Sequence, residues 1–292
     1  MTVLLTGCAG FIGMHVAERL LDAGRAVVGV DNMNAYYDPA LKTARLDRRR
    51  GRDGFHFVEA DIADRAAMDQ LFASQSDIDA VISLAAQAGV RHSLIDPYVY
   101  VTANVMGQIV LMEAARRRDG VRQFVYASSS SVYGANEAVP FSVDDRVDQP
   151  VSLYAATKRA CELTAHTYAH LYRLPCTGLR FFTVYGPWGR PDMAAWLFAD
   201  AILAGRPIQV FNNGDMRRDF TYIDDVVAGV IAALDRPPAD DGARPPWRVY
   251  NLGNNTPELL ERFIATLEDK LGRKAVRENA PMQPGDVQAT YA

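Results

Sequence analysis

A tyrosine and a lysine four residues apart, Tyr154 and Lys158, are the residues of this chain best suited to chemistry. On a helix, side chains with this spacing lie on one face. An ammonium held beside a phenol favours the phenolate form, and a phenolate can take a proton from an alcohol. Ordinary exposed helices also carry this spacing, so the pair alone leaves a plain surface helix as an alternative.

Three glycines near the start of the chain give that pair a context. Gly7, Gly10 and Gly13 follow an apolar run at residues 2–6 that is typical of a buried parallel strand. A helical pattern comes next, and a second apolar run ends in Asp31. This order predicts a dinucleotide site, because glycines let backbone N–H groups approach a pyrophosphate at a helix N-terminus. Asp31 would bind ribose hydroxyls and repel a 2′-phosphate, which favours NAD over NADP.

Composition and charge restrict the partners of the chain. Its 292 residues are 49% hydrophobic and 23% charged, with a formal net charge of −4, which is ordinary for a globular protein. A mildly negative charge argues against general nucleic-acid or membrane binding. The one basic run, at residues 48–52, is interpreted as a solvated surface loop.

Cysteine and histidine usage predicts a cytoplasmic protein without a metal site. Cys8, Cys161 and Cys176 are odd in number and irregularly spaced, which favours reduced thiols. The first apolar run starts at residue 2, and no apolar stretch approaches the roughly 18 residues of a membrane span, so neither a signal peptide nor an anchor is expected. The five histidines form no metal-ligand pattern.

Apolar runs alternate with helical patterns as far as residue 180. This alternation predicts an α/β fold with a Rossmann-type doubly wound parallel sheet, covered on both faces. The irregular pattern of residues 181–292 predicts a smaller mixed α/β substrate lobe, with helices near 193–204, 224–235 and 257–271. Ligands of such sheets bind at the carboxyl ends of the strands. Those ends carry the first glycine, two acids, an apolar tripeptide and four serines: Gly7, Asp31, Asp61, Leu84-Ala85-Ala86 and Ser128–Ser131.

Taken together, these motifs resemble those of the extended short-chain dehydrogenase/reductases, in the nucleotide-sugar epimerase/dehydratase branch. The resemblance runs from Thr2 to nearly the last residue. The motifs that carry it are Thr6-Gly7-x-x-Gly10-x-x-Gly13, Asp61-Ile62, Leu84-Ala85-Ala86, Ser128-Ser129-Ser130, Tyr154-x-x-x-Lys158 and Arg218-Asp219-Phe220. Within the branch the chain is most similar to UDP-glucuronate 4-epimerases, through residues 87–91, 181–193 and 282–286.

The resemblance implies a reversible oxidation at C4 of a UDP-sugar with NAD as the cofactor. Tyr154, as the phenolate, would take the proton of the O4 hydroxyl while hydride passes from C4 to the nicotinamide. Lys158 would bind the nicotinamide ribose, and Ser129 would hydrogen-bond the reacting oxygen. Ser130 stays open as an alternative, because four serines follow one another. The 4-keto sugar would then rotate and take the hydride back on its opposite face.

The resemblance also implies which residues contact the two ligands. Those for NAD are Gly7, Gly10, Phe11, Ile12, Gly13, Asp31, Asn32, Asp61, Ile62, Leu84, Ala85, Ala86, Asn104, Tyr154, Lys158 and Tyr185. Those for the UDP-sugar are Gln87, Arg91, Ser129, Thr183, Arg190, Gln209, Val210, Phe211, Arg218, Gln283 and Asp286. Within the second set, Arg218 would bind the diphosphate and Asp286 a ribose hydroxyl. Residues 209–211 would lie beside the uracil.

The absence of two carboxylates limits which reactions the 4-keto intermediate can undergo. In similar 4,6-dehydratases an Asp and a Glu occupy the positions of Ser130 and Ser131, and similar decarboxylases carry a Glu at the second of them. Epimerisation needs neither group. A 4-keto-uronate is nevertheless a β-keto acid and loses carbon dioxide readily. We therefore hypothesise that Arg190, as a planar bidentate donor, holds the substrate carboxylate out of line with the ketone, assisted by Thr183.

Three other interpretations stay open from the sequence. The chain could be a UDP-glucose/UDP-galactose 4-epimerase, a UDP-glucuronate decarboxylase, or a non-catalytic protein that senses NAD on the same fold. Family analogy adds a homodimer through helices near residues 97–118 and 153–172. Family members usually continue a few tens of residues past the segment matching Gly285-Asp286, so a closing helix would be expected beyond the substrate lobe seen here.

Overall fold

The computed structural model describes residues 1–292. Its strands are β1 (Thr2–Thr6), β2 (Ala26–Asp31), β3 (Phe55–Glu59), β4 (Ile78–Ser83), β5 (Phe124–Ser129), β6 (Cys176–Phe181), β7 (Thr183–Tyr185), β8 (Ile208–Phe211), β9 (Arg217–Tyr222), β10 (Trp247–Leu252), β11 (Pro257–Leu259) and β12 (Arg277–Ala280). Seven of them form one parallel sheet in the order β10-β6-β5-β4-β1-β2-β3. The strand order turns back between β1 and β4, as in doubly wound sheets, which confirms the predicted fold class.

Helices cover both faces of this sheet. The α-helices are α1 (Phe11–Asp22), α2 (Pro39–Asp47), α3 (Arg65–Ser74), α4 (Pro97–Tyr100), α5 (Gly107–Arg116), α6 (Leu153–Tyr172), α7 (Ala194–Leu203), α8 (Ile223–Asp235) and α9 (Leu260–Leu271). Val3 and Leu5 of β1 lie in the core shared with α1 and α8, and Leu4 lies in the core shared with α3, α5 and α6. Burial on both faces explains the uninterrupted apolar run. None of the helices combines the length and apolar character that crossing a bilayer requires.

The helix expected near 97–118 is interrupted. Residues Val101–Met106, between α4 and α5, form a π-helical stretch. The wider turn accompanies an inward-facing, buried Asn104, whose side chain pairs with both backbone groups of Gln87 at 2.8 and 3.1 Å. π-Helical turns occur frequently at functional sites, and this one supports the segment that follows β4.

The division expected at residue 180 does not follow the layers of the structure. β10 extends the large sheet beside β6, and α8 packs on α1 against the same sheet. The smaller lobe is therefore built from residues 183–222 and 254–292, around the sheets β11-β9-β7 and β12-β8. The helix expected from residue 257 begins at Leu260, because Pro257–Leu259 pair with β9 instead.

The interpretation of residues 48–52 as a solvated loop is wrong for Arg49. Its side chain is fully buried, and it donates to the carbonyl of Cys8 at 3.1 Å and that of Met14 at 3.4 Å. Arg48 and Arg52 pair with Glu18 and Asp22 on α1. The basic run thus fastens the segment after α2 to the glycine turn and to the helix that follows it.

A buried ion pair joins α6 to the centre of the large sheet. Glu162 of α6 accepts two hydrogen bonds from Arg180 of β6, at 2.8 and 2.9 Å, and both side chains are at most 2% exposed. Ser128 donates to the same carboxylate at 2.6 Å. Burial alone would raise the pKa of Glu162, but the bonds and charge of Arg180 outweigh it and hold that pKa below its usual range.

We expect Glu162→Gln to lower the free energy of unfolding by about 3–5 kcal/mol at neutral pH, because it leaves Arg180 buried without a countercharge. Since the folded-state pKa of Glu162 is lowered, the pair stabilises above the unfolded pKa of about 4.3 and is lost as pH falls through the folded value. The difference in the free energy of unfolding between wild type and variant should therefore shrink below about pH 4. Urea unfolding at several pH values measures this.

Glu258→Gln is the matched control. Glu258 forms an exposed pair with Arg262, so its loss should cost less than about 1 kcal/mol. Equal effects of the two substitutions at neutral pH would contradict the assignment.

Candidate active site

A cleft opens at the carboxyl ends of β1, β2, β4 and β5, between the large sheet and the smaller lobe. The predicted residues that line it are Gly7, Gly10, Phe11, Ile12, Gly13, Asp31, Asn32, Asp61, Ile62, Leu84, Ala85, Ala86, Gln87, Ser129, Tyr154, Lys158, Thr183, Arg190, Arg218 and Asp286. Segments separated by up to 280 residues in the sequence therefore meet in one place, as the strand-end argument requires.

The glycine turn leaves no room for side chains. A Cβ atom on Gly13 would lie 2.1 Å from the carbonyl oxygen of Gly7. At Gly7, where φ is +71°, a Cβ would lie 2.7 Å from the backbone nitrogen of Ala85. Gly10 precedes α1 without any side-chain cap, so the N–H groups of the first helical turn face the cleft without a side-chain acceptor. This cradle fits the pyrophosphate of a dinucleotide.

Asp31 ends β2 at the side of that cradle. One carboxylate oxygen accepts from the Ala9 N–H at 3.2 Å, and the other from the Met33 N–H at 3.0 Å. Asn32 donates to Asp61 at 2.9 Å, which joins the ends of β2 and β3. The acid is in place for the ribose hydroxyls of NAD, and it also supports the turn before α1.

Lys42 is a cleft residue that the sequence did not indicate. Its ammonium lies 3.3 Å from Asp31 and donates to Asn34 at 3.0 Å, and its side chain is almost fully buried. It comes from α2, eleven positions after the acid, and no motif spacing connects the two. The ribose site therefore carries a cation as well as an anion.

The Tyr154–Lys158 pair lies on the first turns of α6. Ser152 caps this helix by accepting from the Ala155 N–H at 3.1 Å. Lys158 is buried, and its ammonium donates to the carbonyl of Ala127 at 2.9 Å. The Tyr154 ring packs edge-on against Tyr100 with centroids 6.0 Å apart. Both side chains line the cleft, so the pair is not part of a plain surface helix.

The structure separates the four serines. All four serines border the cleft, but Ser128 is buried and its hydroxyl is already committed to Glu162. The hydroxyl of Ser129 accepts from the Ser131 N–H at 3.1 Å and lies 3.2 Å from the Ser131 hydroxyl. Assignment of the reacting serine to Ser129 stays a prediction.

Arg190 lies in the cleft beside Tyr154 and is already paired. Its Nε donates to Asp192 at 2.9 Å, and its Nη2 donates to the second oxygen of the same carboxylate. Burial and the neighbouring Asp192 raise the pKa of Tyr36 to about 12, and the Tyr36 hydroxyl donates to Asp192 at 3.1 Å. Neither Asp192 nor Tyr36 was assigned a role from the sequence. An acid two positions after an arginine on one loop was the available signal.

Seven predicted residues do not line the cleft. They are Arg91, Asn104, Tyr185, Gln209, Val210, Phe211 and Gln283. Asn104 instead holds the backbone of Gln87, and Tyr185 packs edge-on against Phe220 and Tyr222. The expected cofactor contacts of Asn104 and Tyr185 stay predictions.

The three residues expected beside the uracil differ in the direction of their side chains, and their contact with a base stays a prediction. Val210 is 1% exposed within the core of the smaller lobe, because alternate residues of β8 point inward. Gln209 points the other way and donates to Glu278. The Phe211 ring is covered by the guanidinium of Arg91 at 4.7 Å. Only this stacked pair retains an aromatic surface for a base.

Arg218 and Asp286, expected at the diphosphate and the ribose, contact each other. The guanidinium donates to the carboxylate at 2.7 Å and to the carbonyl of Gln288 at 3.1 Å. Burial lowers the pKa of Arg218 against the opposing effect of Asp286. Arg218 lines the cleft, where an anionic ligand would meet its positive charge.

Comparison with known proteins agrees with this geometry. Residues 3–253 match the model of the NAD dependent epimerase/dehydratase family. The chain belongs to this family. As an epimerase/dehydratase it is similar to UDP-glucuronate 4-epimerase 4 of Arabidopsis thaliana, with 49% identity over 302 residues that cover 100% of the chain and 69% of the relative. It is also similar to protein CapI of Staphylococcus aureus, with 46% identity covering 100% and 90%.

Solved structures of nucleotide-sugar epimerases are similar to this epimerase/dehydratase. UDP-glucuronic acid 4-epimerase from Bacillus cereus, in complex with UDP-glucuronic acid and NAD, superimposes with a TM-score of 0.90 at 35% identity. The match covers 100% of this chain and 90% of that one. UDP-glucose 4-epimerase from Thermotoga maritima gives a TM-score of 0.87 at 29% identity, with 100% and 89% covered. The predicted family and cofactor are confirmed.

Asp31→Ser should shift cofactor preference towards NADP. The change removes the carboxylate that repels a 2′-phosphate and leaves the Lys42 ammonium free to bind one. We expect the ratio of NADP to NAD affinity to rise at least about tenfold, equivalent to ~1.4 kcal/mol. Calorimetric titration with each cofactor measures this.

The double variant Asp31→Ser/Lys42→Met is the control. It should lose the gain in NADP affinity while binding NAD as the single variant does. If the double variant keeps the gain, Lys42 is not its source.

Proposed function

We propose that this protein interconverts UDP-glucuronate and UDP-galacturonate by epimerisation at C4. The observation that carries the proposal is that Tyr154, Lys158 and the cation of Arg190 line one cleft with the glycine cradle. The first two supply proton transfer from an alcohol, and Arg190 supplies recognition of a carboxylate. Relatives and solved structures named UDP-glucuronate 4-epimerase support this choice of substrate.

Tyr154 is the proposed proton-transfer group. As the phenolate it accepts the proton of the sugar O4 hydroxyl and later returns it. The Lys158 ammonium is fixed by the carbonyl of Ala127, so its positive charge stays on the cleft side of α6. We propose Ser129 as the group that orients the reacting oxygen. NAD, when bound, supplies reversible exchange of hydride with C4.

Stereochemical inversion requires the 4-keto sugar to present its other face. The proposed anchors of the nucleotide, Arg218 and Asp286, lie on β9 and on the segment after β12, whereas Tyr154 and Lys158 lie on α6. Holding the UDP end there leaves the sugar free to turn about its linkage. The anchors and the proton-transfer groups therefore belong to different lobes.

Arg190 is the proposed binding group for the carboxylate of the uronate. Its guanidinium faces the cleft together with Thr183, and a planar fork of donors suits a carboxylate. Serines at positions 130 and 131 leave the site without the carboxylates that dehydration uses. These features favour epimerisation of a uronate over dehydration or decarboxylation.

The nearest rival is epimerisation of UDP-glucose, which would use the same pair. A structural neighbour carries that name, but a neutral sugar leaves the Arg190 cation without an ionic partner among its substituents. A non-catalytic NAD-sensing role does not explain why Tyr154 and Lys158 line the cleft together. We place the reaction in the cytoplasm, as the three buried free cysteines suggest.

A homodimer completes the proposal. Large apolar side chains are exposed before, within and after α4, with exposed fractions from 49% to 81%: Leu94, Ile95, Tyr98, Val101 and Met106. Leu163, on the adjoining α6, is also exposed. Tyr98 is 81% exposed. Apolar side chains gathered on one surface typically mark a protein interface. A second copy of this chain, meeting the same helices, would cover them.

Incubation with UDP-glucuronate and NAD should yield UDP-galacturonate and no UDP-pentose, as seen by product separation. Tyr154→Phe removes the proton acceptor and should lower turnover by about 10²–10⁴-fold while NAD binding stays intact. Tyr250→Phe, the same change at an exposed site on β10, should leave turnover unchanged. Conversion of UDP-glucose with UDP-glucuronate left untouched would favour the rival, and UDP-pentose as the main product would favour a decarboxylase.

Light scattering after gel filtration should give about twice the 32.2 kDa chain mass. Tyr98→Glu places a charge in the apolar surface and should yield monomers. Tyr250→Glu, an equivalent change on β10, should stay dimeric. A wild-type mass of one chain would refute the dimer.

A further inference from the structure

Asp192 already occupies one edge of the Arg190 guanidinium. Both of its carboxylate oxygens accept from Arg190, through Nε at 2.9 Å and through Nη2. The Tyr36 hydroxyl donates to the same carboxylate at 3.1 Å. The cation proposed to bind the substrate carboxylate is therefore held by an internal carboxylate first.

A guanidinium can serve two carboxylates at once. Its five N–H donors lie in one plane, and the edge formed by Nε and Nη2 is the one that Asp192 uses. The outer edge remains, formed by the second hydrogen of Nη2 and the parallel hydrogen of Nη1. Arg190 lines the cleft whereas Asp192 does not, so we infer that a ligand would approach Arg190 on the side away from Asp192.

Tyr36, which bonds to Asp192 behind Arg190, is itself held by aromatic contacts. The Tyr36 ring packs against His92 with centroids 4.9 Å apart, and His92 lies beside Tyr100 at 6.1 Å. Tyr100 donates to the carbonyls of Ala88 and Gly89 at 3.0 and 2.6 Å, and its ring touches Tyr154. Continuous contacts therefore connect the orientation of Arg190 to the ring of Tyr154.

Orientation matters because the 4-keto-uronate is unstable. When its C5–C6 bond aligns with the π system of the C4 ketone, that bond breaks, its electron pair enters the enolate and carbon dioxide leaves. A proton from water then adds at C5. A carboxylate kept near the plane of the ketone cannot follow this path. A freely rotating arginine would bind the carboxylate but would not fix that angle.

We propose that Asp192 is a positioning residue that holds Arg190 in one orientation, and thereby suppresses loss of carbon dioxide during epimerisation. This inference rests on the proposed function. Asp192 also cancels the charge of Arg190, which weakens attraction for an anionic sugar. Its presence thus lowers affinity for the uronate and raises fidelity of the reaction, a combination that a purely structural acid would not produce.

Asp192→Asn tests the proposal with UDP-glucuronate, through product separation and steady-state kinetics. We expect the UDP-pentose fraction to rise at least about tenfold and kcat for epimerisation to fall, with KM unchanged or lower. Tyr36→Phe keeps the ion pair and should give a smaller rise. Arg190→Ala should raise both UDP-pentose and KM, because it removes the donor itself.

Asp200→Asn is the matched control, since Asp200 forms an exposed pair with Arg206 outside the cleft. It should change neither product ratio nor KM. If Asp192→Asn yields no more UDP-pentose than this control, or raises KM while lowering thermal stability, the inference is overturned although the epimerase activity stands. If wild type does not convert UDP-glucuronate at all, the proposed function falls, and the inference falls with it.

Discussion

The buried pair of Glu162 and Arg180 is the interaction on which the position of the proton-transfer groups depends. Glu162 lies one helical turn after Lys158 on α6, and it bonds Ser128 at the end of β5 and Arg180 on β6. Arg180 also donates to the hydroxyl of Tyr133, just after the serines. That hydroxyl in turn donates to Asn251 on β10. Because neither charge has access to water, α6 cannot shift against the serine turn without leaving one unpaired.

A buried cation from α2 fixes the other wall of the cleft, as the ion pair fixes α6. Arg45 is fully buried and donates to the carbonyl of Ala9 in the glycine turn and to those of Trp188 and Gly189. His15 on α1 lies 3.0 Å from the carbonyl of Pro187. The loop that carries Arg190, although it belongs to the smaller lobe, is therefore attached to the cofactor cradle. Cofactor and carboxylate sites form one unit, and the anchors of the nucleotide form another.

Local patterns of the sequence predicted those parts of the site that depend on short-range structure. The glycines of the turn, the acid ending β2 and the capped helix of Tyr154 and Lys158 follow from spacing and strand order, and all of them line the cleft. Lys42 and Arg45 were missed because their partners lie on other segments, which only the packed fold brings near. Asp192 lies two positions from Arg190, and the distant contact that the sequence does not reveal is the one with Tyr36. The burial of the Val210 side chain could not be predicted for a simpler reason: it follows from the alternation of side chains in β8, and a resemblance between motifs does not show which face a residue takes.

Affinity and fidelity make opposite demands on a site for a β-keto acid. A lone cation attracts the uronate most strongly, but a long arginine side chain without a second contact samples many rotamers. Pairing it with Asp192 gives up part of the electrostatic attraction and fixes the plane of the donors. The net charge of such a site approaches zero before substrate binds, so recognition must come from the two outer N–H donors and their direction. A uronate satisfies both, whereas one hydroxyl of a neutral sugar satisfies only one of them.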